Sequence, residues 1–261
     1  MLARIAKSLK CQRGNFSPFM IGLVLGLAVF STAMRKQAER ELAKIEAQQA
    51  EAKKKQLQEL KDGVENALLM ETAANFNNGI DATRIRNSTS ASLDTRNGQA
   101  IVINSTAMDN ATGRQRVMIS NSDDAFIRAD ASTSTDANML TSDITKRDDV
   151  AVIDTSVIRA RQLEISKGNM AALTDFVYDW WRRAMVDGTA ESGTHHLPTN
   201  GTFNTDIRDV YTQRDFWGNN FTYARATSQT ATISFTTPAP WSETYTDIID
   251  MREASAAAGA K

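Results

Sequence analysis

Nineteen consecutive uncharged residues, Phe16 to Met34 (FSPFMIGLVLGLAVFSTAM), stand between a basic head and a long charged segment, and no other feature restricts this chain as much. As a helix they cover about 28 Å, close to the hydrocarbon thickness of a bilayer. The head, Met1–Gly14, carries Arg4, Lys7, Lys10 and Arg13 and no acid. After Met34, by contrast, Arg35, Lys36, Arg40 and Lys44 are interleaved with Glu39, Glu41 and Glu46. This asymmetry predicts a cytoplasmic N-terminus, a single pass through the bilayer and an exported remainder. The run is too long for a removable secretory signal and lacks the small-x-small cleavage pattern. Within it, Gly22 and Gly26 form a G-xxx-G pair that strips one helix face of bulk and suits close helix packing. The same spacing also arises by chance where glycine is common.

From Arg35 to Lys61 there is neither proline nor glycine, and most residues are good helix formers. Leu42 and Ile45 are isolated, whereas Leu57, Leu60, Val64 and Leu68 follow a 3–4–4 spacing that makes one stripe. The first part therefore reads as exposed and the second as packed against a globular head. The gap between Ile45 and Leu57 breaks the heptads that a coiled coil requires. Continued from Phe19 to about Asn75, such a helix would be about 85 Å long. Lys53, Lys54 and Lys55 read as a solvated face.

Past Phe76 the chain turns to Ser, Thr, Asn and Asp, and short alternating segments appear at Ala100–Asn104, Arg116–Ser120 and Thr230–Phe235. Asp149–Ile158 offers a further strand. A second helix is expected near Asn169–Val186, where Met170, Leu173, Phe176, Val177, Trp180, Trp181 and Met185 mark a wide apolar face. The fold class expected is α+β: a long N-terminal helix, membrane-spanning in its first half, packed on a β-rich head. Its parts are a basic leader (1–14), a membrane or assembly helix (15–34), an extended amphipathic helix (35–75), a head (76–250) with an inserted helix near 169–186, and a flexible tail (251–261).

A formal net charge of −1 argues against a nucleic-acid partner. The only cysteine is Cys11, so an exported head has no disulfide. There is no phosphate-binding glycine loop, no G-x-S-x-G and no H-E-x-x-H. His195 and His196 are adjacent, but spacing suggests no third ligand, and Asp206, Asp209, Asp247 and Asp250 lack the oxygen-rich loop spacing of a calcium site. No catalytic residue, metal or cofactor is expected.

A basic leader ending in glycine, an apolar helical N-terminus, a long amphipathic helix and a β-rich head together resemble the type IV pilins and pseudopilins. In that family a prepilin peptidase cuts after the glycine, here Gly14, so the resemblance implies a mature chain beginning at Asn15. A second match is Asp215-Phe216-Trp217-Gly218-Asn219-Asn220-Phe221-Thr222-Tyr223, which resembles the D-P-W-G-N-P-aromatic-x-Tyr segment near the pilin sheet. There Gly218 and Asn219 suit a tight turn, and Trp217 and Phe221 anchor it ahead of a strand at Thr222-Tyr223. The resemblance covers Arg4 to about Leu69 and then Asp215–Tyr223.

The departures are specific. Phe19 occupies the fifth mature position, where the family usually has the glutamate thought to meet a neighbour's first amino group. Asn15 stands where Phe or Met is usual. The family's tip-located minor subunits are similar in lacking the glutamate, and a subunit with nothing beyond it can omit a costly buried carboxylate. The resemblance thus implies a minor, initiating or tip subunit of a pilus or pseudopilus. Its partners would be other pilin-like subunits, the prepilin peptidase, the inner membrane and the pilus assembly machinery. The alternative is an inner-membrane-anchored envelope protein that presents a β-rich binding head on a helical rod.

Overall fold

The computed structural model describes residues 18–77, 79–135, 139, 143–186 and 196–251. The leader, the Gly14–Asn15 junction, the Phe19 and Met185 side chains, His195 and residues 252–261 of the tail lie outside that description. The chain divides into two compact units, Met1–Ala52 and Lys53–Lys261.

The first unit is described through helix α1 (Pro18–Leu69), which continues into the second. Among the described residues, no helix is long and apolar enough to cross a membrane; the span expected at Phe16–Met34 begins outside those residues.

The second unit holds two three-stranded antiparallel sheets. Sheet one is β1 (Val102–Ser105), β2 (Arg116–Ser120) and β3 (Val150–Asp154), with β2 central. Every residue of β2 is buried because both faces are covered. Val117 and Ile119 lie on one face with their β3 partners Ile153 and Ala151, and this face packs on the Leu57, Leu60, Val64 and Leu68 stripe of α1. Met118 points the other way, joining Ile127 and Ala131 of helix α4 (Ala125–Thr133). Full burial of such a side chain stabilises by about 1.5–3 kcal/mol, so the predicted stripe anchors α1 to the sheet. Gly63 lies within it. A Cβ there would sit 2.9 Å from Thr89 Cβ, so the glycine admits close backbone approach at a helix-interior position that otherwise disfavours it.

Helix α1 ends at Leu69 rather than near Asn75, and a separate turn of helix, α2 (Ala73–Phe76), follows before α3 (Ala82–Ser88). The second long helix, α5 (Ser156–Val186), begins well before the expected Asn169. It lies over sheet two, formed by β4 (Thr222–Arg225), β5 (Thr230–Thr236) and β6 (Thr244–Asp250). Ala231, Ile233 and Phe235 alternate inward from β5 to meet Leu173 and Val177 of α5 in a core rich in aromatics. Between the two, α6 (Asn200–Thr202) runs into a π-turn at Phe203–Ile207.

Candidate functional site

Three features stand out: the apolar stretch of α1, the turn at Asp215–Tyr223, and a buried charge cluster where α1 ends. In the first, large apolar side chains are exposed around the helix: Val29 by 70%, Phe30 by 64% and Leu27 by 60%. Its hydroxyls make no demand for water, because Ser31 and Thr32 donate to the Ala28 carbonyl at 3.0 and 2.8 Å. A Cβ built on Gly22 or on Gly26 meets nothing within 4 Å, so both leave open face. A contiguous exposed apolar surface of this kind marks a docking site for protein or lipid.

The predicted turn forms as read. Gly218 takes φ +88°, a conformation that favours glycine. Its N–H donates to the Asp215 carbonyl at 3.1 Å, and the Asp215 N–H donates to the Asn219 carbonyl at 3.0 Å. Asp215, 5% exposed, accepts from the Asn219 backbone at 2.7 Å and from the Asn219 amide at 3.0 Å. Burial pushes the Asp215 carboxyl above the usual carboxylate range, and those Asn219 hydrogen bonds oppose it. Trp217 meets Phe76, Phe216 and Trp241 edge-on, at centroid distances of 5.9, 5.9 and 6.0 Å. Its carbonyl accepts the Ala73 N–H at 3.0 Å, so the turn is bonded to the segment just beyond α1. Tyr223 stacks on Phe203 at 4.3 Å and donates to the Pro198 carbonyl at 2.9 Å. Burial drives its phenol well above the ordinary tyrosine value. Asp215, Trp217 and Tyr223 are buried and bonded to their surroundings, while Gly218 and Asn219 are exposed at the bend, which is the geometry of an anchor.

Sequence reasoning missed the charge cluster. Glu71, whose side chain is fully buried, pairs with Arg84 at 3.0 Å and with Arg159 through its other oxygen. Arg159 also donates to Gln162 at 2.9 Å and to the Gly113 carbonyl at 3.2 Å, and its guanidinium covers the Phe76 ring at 4.3 Å. Burial lowers the Arg159 pKa, and the Glu71 charge works against that shift. Gln162 donates to the Leu68 carbonyl at 2.8 Å, and Arg84 donates to Gly79 and, at 3.4 Å, to Ala67. The last carbonyls of a helix have no partner within it and carry its negative end. Here two arginines and a glutamine supply both the donors and the charge. No spacing signals this cluster, because its members come from three separate elements.

The remaining candidates do not converge. Among the described residues no group of three or more His, Cys, Asp or Glu is placed to hold a metal. Asp247 instead accepts from the Thr174 hydroxyl at 2.7 Å. No family model, curated protein or solved structure matches the chain.

Proposed function

We propose that the protein is a structural subunit of a type IV pilus-like or type II secretion pseudopilus filament, minor, initiating or tip-located, assembled through its N-terminal helix. The observation that carries this reading is the exposed apolar stretch of α1, with both glycine faces open. A helix that is apolar all round is stable only when something surrounds it, and sibling helices and lipid both qualify. The bonded turn at Asp215–Tyr223 supports the reading from the head, where it stands beside the end of α1 as a rigid anchor. On this view the run beginning at Phe16 holds the precursor in the inner membrane, the prepilin peptidase cuts between Gly14 and Asn15, and the assembly machinery extracts the subunit. Phe19 in place of a glutamate suits a position with no subunit beyond it.

The test is N-terminal sequencing of the protein from cells with and without the prepilin peptidase, joined to fractionation of sheared surface filaments. The filament reading expects Asn15 as the first residue only when the peptidase is present, and recovery with the filaments. Retention of Met1 in peptidase-positive cells, with all material in the membrane fraction, would instead leave the anchored binding protein.

A further inference from the structure

Three Asn-Gly pairs occur in the chain, at Asn78, Asn97 and Asn200, and the asparagine of the first lies outside the described residues. A glycine after an asparagine puts no side chain in the way of its own nitrogen, which can then reach the asparagine amide. The fold holds the two described pairs in opposite ways. Asn97-Gly98 is the tip of a short hairpin held at its base by the bridge between Asp94 and Ala100. There the Thr95 N–H donates to the Gln99 carbonyl at 2.6 Å, and the Gly98 N–H donates to the Thr95 carbonyl at 2.9 Å. Arg96 through Ala100 are all exposed, and the Asn97 side chain has no hydrogen bond among the described residues. A Cβ built on Gly98, at φ +74°, meets nothing within 4 Å, so nothing crowds the tip.

Asn200-Gly201 instead opens α6, where the capping Thr199 accepts the Thr202 N–H at 3.1 Å. Asn200 Oδ1 accepts the Arg225 N–H of β4 at 3.0 Å. Its amide is tied to a strand and its backbone to a helical turn, so neither can bring the Gly201 nitrogen onto the side chain without local unfolding. The tip at Asn97 also matters to its surroundings. The Thr95 hydroxyl holds the Asp123 carboxyl below the usual carboxylate range against the effect of burial, with help from Lys53 and the Asn97 N–H. Lys53, on α1, pairs with Asp123 at 3.1 Å.

We infer that Asn97 is a site of spontaneous deamidation in the folded protein, and that its conversion loosens the hold of this turn on Asp123. The Gly98 nitrogen gives up its proton to water and attacks Asn97 Cγ; a C–N bond forms, ammonia leaves, and a cyclic imide results. Water then opens one carbonyl of the ring or the other, giving aspartate or, with the backbone rerouted through the side chain, isoaspartate. The reaction consumes only water and waits on opening of the Gly98–Thr95 bond, a local event at an exposed tip. Either product adds a negative charge to the residue whose N–H serves Asp123, and isoaspartate adds a backbone carbon that the turn cannot accommodate with both its bonds intact. The inference does not depend on the filament reading. The experiment incubates the full chain in detergent and mildly alkaline heavy-oxygen water, folded and in urea, and follows each asparagine by peptide mass mapping. In the folded chain Asn97 should convert at least about fivefold faster than Asn200, which must first release Arg225 and its helical turn. In urea the two should agree within about twofold. Protein converted at Asn97, separated by charge, should exchange the amide hydrogens of residues 95–99 at least about threefold faster than fresh protein. Asn97→Gln carried through the same incubation should keep its exchange unchanged. Conversion at Asn97 no faster than at Asn200 in the folded chain, a ratio that urea does not alter, or converted protein with unaltered exchange at 95–99 would overturn the inference.

Discussion

Between Met20 and Met34, α1 leaves Leu25, Val29 and Phe30 more than half exposed, whereas between Leu57 and Leu68 it buries Leu60, Val64 and Leu68 completely. The two stretches belong to one helix and draw on the same residue types. What differs is arrangement. In the second, apolar residues recur on one face and meet a sheet; in the first, they surround the helix, and no single surface of a folded head could cover them. Hydrophobicity alone therefore does not say where a side chain goes. Its angular distribution says what sort of partner it needs: a sheet for a stripe, lipid or a ring of like helices for a cylinder.

The largest expected effect lies at the end of the buried stretch. Glu71→Ala leaves Arg159 and Arg84 without their counter-charge and should destabilise the head by about 3–5 kcal/mol in denaturant unfolding. Next is a direct contrast within α1. Leu60→Ala should cost about 2–5 kcal/mol, while Val29→Ala should stay within about 0.5 kcal/mol; comparable losses at both positions would erase the distinction drawn here. A paired glycine test is of intermediate size. Gly63→Leu forces a side chain against Thr89 and should cost about 1–3 kcal/mol. Gly26→Leu should leave head unfolding unchanged yet reduce recovery of the protein in sheared filaments. The smallest effect is optical. Burial, seconded by Glu243, pushes Tyr245 up to about 12 from an ordinary 10.0, and Tyr223 is raised further by burial. Both phenols stay neutral in the fold while the unfolded chain loses its protons, so their contribution is whole below pH 10 and declines above it. Tyrosinate absorbance should therefore lag for these two until the head unfolds, and an early rise equal to all four tyrosines would contradict the packing.

Periodicity made the simplest parts legible. The 3–4–4 stripe of α1 and the alternation of Arg116–Ser120 and Thr230–Phe235 correspond to elements that bury a plain apolar face. The turn at Asp215–Tyr223 was legible through Gly218 and its anchors. The start of α5 was hidden because the face it buries over its first three turns is polar: Arg159, Gln162 and Ser166 are all buried there, and a search for apolar spacing passes over them. β6 was missed for a related reason. TYTDIID buries only Ile249 on a strand otherwise half-exposed or exposed, so its alternation is too faint to read. Helix α4 had a usable signal in Asp124, which accepts from Phe126 N–H at 2.8 Å as an N-cap. The Glu71 cluster had none, since long-range pairing leaves no local trace.

The spacing of that cluster along the chain also bears on how the protein is made. Arg84 lies 13 residues beyond Glu71, but Arg159 lies 88 beyond it. As the polypeptide emerges, the first pairing is available almost at once, and the second must wait until all three strands of sheet one have appeared. Synthesis thus imposes a schedule: the junction is half-fastened early, and its final lock closes only when the opening turn of α5 arrives.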